Sequence, residues 1–303
     1  MKLLSIILII SVLLINICAA QTYSKKWEDI NYAGDTLVSH KMDVYLPKMS
    51  KSQYPAIIIV YGSAFFGDDM KQDAYTTLGA PLLNSGFAVV AVNHRSSRNA
   101  IFPAQIQDIK AAVRFVKANG NKFQIDTSFI GITGYSSGGH LSAMMGTSRS
   151  VKLKTINSKT AEIEGSVGNY PTHSSSVNAV VDWFGPTDFQ RMDSCGSKMV
   201  HNAPDSPESI LIGTPIQDDN DLCALANPIS YIDPDDPPFL IFHGDADPLV
   251  PHCQSELLYQ GLQKAGVASQ FVLVPKGGHG PGLFEEEYFR MMTDFFHTVH
   301  NRP

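Results

Sequence analysis

A serine with glycines two positions away on either side, Gly134-Tyr135-Ser136-Ser137-Gly138, follows directly on an apolar run. This G-x-S-x-G spacing suits a sharp strand-to-helix turn that projects a hydroxyl from the end of a sheet. The glycines let strand and helix approach closely, and their backbone freedom suits a turn that strains its central residue. The spacing selects Ser136, because Ser137 has Tyr135 two positions before it. A serine hydroxyl is a weak nucleophile unless a base takes its proton and an acid orients that base. Downstream, "FLIFHGDADPLVP" places Asp245 and Asp247 just past one apolar run, and "FVLVPKGGHG" places His279 in a glycine-rich loop past the next. The order serine, acid, histidine is the one that accompanies this kind of serine turn. Either aspartate fits as the acid, and either also fits as a turn residue. After the acids, His252, His297 and His300 rival His279, the last two in a terminal helix or tail. His243 precedes the acids at a strand end and His140 follows Ser136 on a helix, so both read as structural. The charge that develops on an attacked carbonyl oxygen needs backbone N–H donors. Ser137 offers one, and the loop after residues 56–60, "VYGSAFFGD", offers Ser63 and Ala64.

Positioning these groups requires a sheet. Residues 56–60 (AIIIV) and 87–92 (FAVVAV) are continuous apolar runs, as expected of strands buried on both faces. Further strands are expected at 129–133, 177–184, 239–242 and 271–274, with an earlier edge strand at 43–46. Between them, Ile106, Ile109, Val113 and Val116 repeat at helical spacing in a helix over 104–119, which Gly120 would stop. Helices are also expected at 253–265, closed by Gly266, and at 285–299. Strands alternating with helices predict an α/β fold, a mostly parallel sheet with helices on both faces. Ligands then sit beyond the carboxyl ends of the strands, where Ser136, the aspartates and His279 all fall. Two stretches break the rhythm. Residues 147–176 are polar, and residues 189–238 are rich in Asp and Pro, with a helix start at Ser206-Pro207-Glu208. The second is either a small lid over the site or surface decoration. Phe65, Trp183 and Phe184 lie near enough to the strand ends to line a substrate pocket, although Trp183 fits a core position at least as well.

No repeat or linker divides the chain, so residues 21–303 are expected to form one domain. With 44% hydrophobic and 17% charged residues the composition is globular, and a net charge of -6 without basic clusters argues against a nucleic-acid partner. At the start, Lys2, an apolar run over 3–17 and Cys18-Ala19-Ala20 have the form of a cleavable signal peptide over 1–20. The run is short for a membrane anchor, and Ile17 is bulky where a lipid-modified cysteine usually follows a small residue. The mature protein is therefore expected to be secreted or periplasmic, with no membrane association after cleavage. Cys195, Cys223 and Cys253 then suggest one disulfide and one free thiol. Of three pairings, Cys195 with Cys253 is favoured, because each follows one of two strands expected to be adjacent. No CxxC or HxxxH spacing points to a metal.

Taken together, YGSAF, GYSSGGH, VVDWFGPTDF, NAPDSPES, DDPPFLIFHGDADPLVP and KGGHG resemble the exported α/β-hydrolase esterases of the BD-FAE-like group. These are related to acetyl xylan and feruloyl esterases and, more distantly, to prolyl-oligopeptidase-type peptidases. The resemblance covers nearly all of the chain after residue 20. It implies Ser136 as nucleophile, Asp247 rather than Asp245 as acid, and His279 as base. It also implies an oxyanion hole from Ser63, Ala64 and Ser137, no cofactor, and hydrolysis of carboxylic esters such as acylated plant cell-wall polysaccharide. Tyr61 and Ser63 depart from the His-Gly-Gly usual in such loops. Two other readings use the same residues. A peptidase or amidase with this triad usually carries a propeller domain, for which there is no room here. A non-catalytic binding protein would have no need of a full serine, acid and histidine set.

Overall fold

The structure, a computed structural model, describes residues 22–149 and 151–302. The expected signal peptide lies outside the described residues. Eight strands form one sheet in the order β1-β2-β4-β3-β5-β8-β9-β10. They are β1 (Lys25–Asn31), β2 (Lys41–Leu46), β3 (Tyr54–Val60), β4 (Ala88–Val92), β5 (Ile125–Tyr135), β8 (Ala179–Trp183), β9 (Phe239–Gly244) and β10 (Ser269–Val274). Only the β1–β2 and β2–β4 pairs are antiparallel. The other pairs are parallel, as the alternation of strands and helices predicts.

Alternate residues of β3 serve opposite faces. Ala56, Ile58 and Val60 join one core layer, and Ile57 and Ile59 join the other. The first layer is covered by the helices Ala104–Ala118, Ser137–Thr147 and Cys253–Ala265. The second is covered by the terminal helix Glu286–His300, through Met292 and Phe296, and by a helical segment over 71–84. Gly266 ends its helix in the left-handed conformation, φ 81°. Gly120 does not stop a helix in that way. It opens a further turn, Gly120–Phe123, and the left-handed residue is Gln124.

Three elements depart from expectation. The strand expected at the edge is β2, which is flanked by β1. The charged strand β1 is interrupted by an irregularity between Trp27 and Ile30, and Asp29 has φ 52° there. Charge and a bulge are how an edge strand resists pairing with a foreign strand, and they also erase its alternation. The segment over 71–84 is two short helices joined by a π-helical turn, Tyr75–Gly79. Gly79 ends the π-helical turn, and Pro81 sits in the first turn of the helix Ala80–Asn84, where its missing N–H costs nothing. The polar stretch after the Ser137–Thr147 helix forms a separate hairpin of β6 (Leu153–Ile156) and β7 (Lys159–Glu162). Between β8 and β9, residues 189–238 fold into short helical pieces, including Pro207–Ile212 and Asn220–Ala226. Ser206 caps the first of these, its side chain accepting from the Ser209 amide.

Candidate active site

Strand β5 runs straight into the serine turn. Ser136 has φ 55° and ψ -125°, a conformation open essentially only to glycine, and it caps the helix Ser137–Thr147. The turn holds it there. Its amide donates to the Trp183 carbonyl at 2.9 Å, and its carbonyl accepts from the His140 amide at 3.0 Å. The strain therefore sits on Ser136 itself, and neither flanking glycine has a positive φ. Their contribution is room. A Cβ at Gly134 would lie 2.4 Å from the Gly138 carbonyl oxygen, and one at Gly138 would lie 2.3 Å from the Val60 carbonyl oxygen.

Ser136, His279 and Asp247 meet beyond the ends of β5, β10 and β9. His279 Nε2 lies 2.9 Å from Ser136 Oγ, and Nδ1 lies 2.7 Å from Asp247 Oδ2. An ionised carboxylate only accepts, so Nδ1 carries the proton given to Asp247. Nε2 is left as the acceptor for the Ser136 hydroxyl. The Asp247 side chain is fully buried. Burial alone would raise its pKa. The hydrogen bonds from His243 and His279, the charge of His279 and the Leu249 amide outweigh burial and hold it well below the usual carboxylate range. Oδ1 accepts the Leu249 and Val250 amides at 2.8 and 3.0 Å. Asp245 is exposed and accepts the Lys276 amide at 2.6 Å, so it pins the β9 loop to the β10 loop. His243 is buried between Ser255 Oγ and the Val250 carbonyl, and His140 Nδ1 donates to the Pro186 carbonyl.

The loop after β3 brings Ser63 and Ala64 beside Ser136. Ala64 and Phe65 are both left-handed, φ 51° and 65°. The side chains at the two unusual positions close this loop. Tyr61 Oη donates to the Gly67 carbonyl at 3.1 Å, and its ring stacks on His94 at 4.7 Å. Ser63 Oγ accepts the Gly67 amide at 3.0 Å. The Ser63 amide is engaged internally, donating to Ser137 Oγ at 2.9 Å.

A family model described as BD-FAE matches residues 42–262, well over half of the chain. The chain belongs to the BD-FAE family. A solved structure titled as a truncated form of a carbohydrate esterase from gut microbiota is 52% identical. The match covers 94% of this chain and 99% of that one, with a TM-score of 0.90. A bifunctional GH43-CE protein of Bacteroides eggerthii is 51% identical over 90% of this chain and 35% of its own, with a TM-score of 0.87. Esterase LipQ of Mycobacterium tuberculosis is 27% identical over 253 residues, 82% of this chain. The chain spans 56% of the length of that curated relative. The fold is that of α/β-hydrolase esterases.

In this BD-FAE chain the three residues open onto a cavity of about 330 Å³ with largely apolar walls, among them Phe65, Phe184, Met199, Leu249 and Phe284. Phe184 packs edge-on to the His279 ring, centroids 4.6 Å apart. Trp183 is not in the wall. It is wholly buried in the second core layer, stacked on Phe242, with Nε1 donating to Thr133 Oγ1. The 189–238 insertion supplies Met199, His201, Pro207 and Glu208 to the cavity. It is clamped to the Asp247 loop. The Lys198 amide donates to the Pro248 carbonyl at 3.0 Å, and Ser197 Oγ and His201 Nε2 both donate to the Leu249 carbonyl. A Cys195–Cys253 disulfide, Cα–Cα 6.2 Å, joins the insertion to the helix after that loop. Cys223 is a buried free thiol whose pKa burial pushes up to about 12. Among the described residues no group of three or more His, Cys, Asp or Glu side chains is arranged to hold a metal.

Beneath the serine turn, on β8, Asp182 is wholly buried. Its Oδ1 accepts the Gly185 amide at 3.0 Å, and Oδ2 has no partner among the described residues. Burial raises its pKa to about 7, against the pull of the Gly185 hydrogen bond. His201, Glu208, Asp182 and the loop-closing role of Tyr61 carry no signal in local sequence, because each depends on contacts between distant segments.

Proposed function

We propose that this protein is an exported serine carboxylesterase. The observation that carries this reading is the continuous hydrogen-bonded line from Ser136 Oγ through His279 to Asp247. Ser136 Oγ attacks the ester carbonyl while its proton passes to His279 Nε2. Asp247, held ionised by its surroundings, stabilises the imidazolium. The tetrahedral oxyanion accepts from the amides of Ala64 and Ser137, joined by Ser63 once that amide leaves Ser137 Oγ. His279 then gives its proton to the departing alcohol. Water, deprotonated by the same imidazole, attacks the acyl-serine, releases the acid and restores the hydroxyl.

The substrate proposed is an acylated plant cell-wall carbohydrate, of the acetyl xylan or feruloyl ester type. The relative at 52% identity that is titled as a carbohydrate esterase supports it, as does the bifunctional GH43-CE protein at 51%. The apolar cavity, which suits an acyl group, also supports it. The Cys195–Cys253 bond and the apolar leader together support export. A fluorophosphonate probe followed by peptide mapping tests the site, with the adduct expected on Ser136. A panel of p-nitrophenyl acetate, acetylated xylan, methyl ferulate and amino-acyl anilides tests the reaction. Turnover of the anilides with none of the esters would replace this reading with a peptidase.

A further inference from the structure

The insertion places a buried ion pair in the wall of the Ser136 cavity. His201 and Glu208 both line it and are only 2% and 3% exposed. His201 Nε2 lies 2.9 Å from the Leu249 carbonyl, and Nδ1 lies 2.9 Å from Glu208 Oε2. A carbonyl only accepts, so Nε2 carries a proton. Nδ1 then faces a carboxylate, and an imidazole donating at both nitrogens is the cation that such a neighbour stabilises. The Glu208 hydrogen bond and charge accordingly outweigh burial and raise the His201 pKa. Leu249 also gives its amide to Asp247, so the pair is referenced to the triad through one residue.

Glu208 spends one carboxylate oxygen on His201. Its other oxygen, Oε1, has no donor among the described residues and is not sealed off, so it stays open to the cavity that Glu208 lines. A carboxylate oxygen beside an otherwise apolar cavity is costly unless something donates to it. His201 already balances the charge, which favours a neutral donor over a cation. An acetyl group and an alkyl or aryl alcohol half have no such donor. An alcohol that keeps a second hydroxyl near its ester bond does.

We propose that Glu208 is a specificity-determining residue that accepts a hydrogen bond from a free hydroxyl on the alcohol half of the substrate, with His201 as its positioning residue. This rests on the esterase reading and narrows it. The site is built for partly acylated polyols, such as a xyloside with hydroxyls beside the ester, over alkyl, aryl or fully acylated alcohols.

The test compares a mono-acetylated methyl xyloside with its deoxy analogues, which lack one free hydroxyl, in the wild type and in Glu208→Gln. In the wild type, removing the recognised hydroxyl lowers kcat/KM by roughly tenfold to a hundredfold, the range for a hydrogen bond to a charged group. In Glu208→Gln that penalty shrinks to about threefold or less, whatever the variant's overall rate. A wild type indifferent to every deoxy substitution overturns the proposal, and that arm needs no variant to fold. A penalty of equal size in both proteins also overturns it, because it would place the hydroxyl contact elsewhere. Fluorophosphonate labelling and phenyl acetate turnover of the same wild-type sample separate the two readings. Failure of both sinks the esterase reading, whereas a labelled, ester-cleaving protein with no deoxy penalty sinks only the role of Glu208.

Discussion

The amide of Ser63 donates its hydrogen bond to the hydroxyl of Ser137, the residue next to the proposed nucleophile, at 2.9 Å. One of the three proposed oxyanion donors is thus aimed and occupied before any substrate arrives. The two adjacent serines then differ sharply in role, although they differ little in sequence.

Replacing each serine separately exposes that difference. Ser136→Ala is expected to lower kcat on p-nitrophenyl acetate by about 10⁴-fold or more, with the fold intact by circular dichroism. Ser137→Ala keeps its backbone amide and loses only the internal acceptor of the Ser63 amide, so its rate is expected to fall by less than about tenfold. Equal losses in the two variants would place the reaction on the wrong serine.

The backbone of Ser136 leads to a stability prediction of opposite sign. At φ 55° and ψ -125° a side chain is a liability that glycine would not carry. Ser136→Gly should be inactive yet raise the melting temperature by roughly 2–6 °C. A lower melting temperature in this variant would show that the turn is not strained.

Tyr61 closes the oxyanion loop through one hydroxyl, which reaches the Gly67 carbonyl. Tyr61→Phe keeps the stacking on His94 and removes that link. It should reduce kcat several-fold to about tenfold, with little change in KM, because the loop's task lies in the transition state. A change confined to KM would assign the loop to substrate binding instead.

Asp182 predicts a pH dependence of stability. Its ordinary pKa is 3.8 and its folded value about 7, so the folded chain holds one more proton than the unfolded chain between those limits. Its contribution is fully present below about pH 3.8 and is lost as the pH rises towards 7. The whole effect is at most on the order of 4 kcal/mol, three pH units at about 1.4 kcal/mol each. Asp236, also raised to about 7 by burial, adds a slope of the same sign. Asp182→Asn cannot ionise, so its urea midpoint should exceed that of the wild type by a margin that widens from pH 5 to pH 8. Parallel curves would refute the assignment.

The disulfide holds the insertion against the helix that follows the acid loop. Reduction, or a Cys195→Ser/Cys253→Ser double variant, should cost about 2–4 kcal/mol and lower the melting temperature by roughly 5–10 °C. Calorimetry with and without a phosphine reductant measures it, and the double variant should show no further response to the reductant.

What the sequence made legible follows a physical division. Ser136, His279 and the Asp245/Asp247 pair stand out because each follows an apolar strand by a few residues, and a parallel sheet sends all such positions to one rim; Asp247 over Asp245 comes from the family resemblance alone. β3 is equally plain, since burial on both faces leaves a run of Ile and Val. β1 was hidden, because an exposed edge strand carries charges and a bulge where a buried strand carries alternation. The 71–84 segment carries no clear helical period, because it is two short helices joined by a π-helical turn. Trp183 takes the core position that the sequence allows at least as well as the pocket, because a strand buried on both faces carries no alternation to separate the two. His201 and Glu208 lie seven residues apart in a loop-rich segment, and only the folded insertion aims them at Ser136.

The clamp between the insertion and the Asp247 loop has an evolutionary corollary. The Leu249 backbone anchors the triad acid on one side and the His201–Glu208 pair on the other. A change that reshapes the insertion to admit a new alcohol therefore tugs on the acid that sustains turnover. Descendants of this chain would diversify more freely at Phe284, on the cavity wall but outside that shared anchor, than at Ser197, Lys198 or His201.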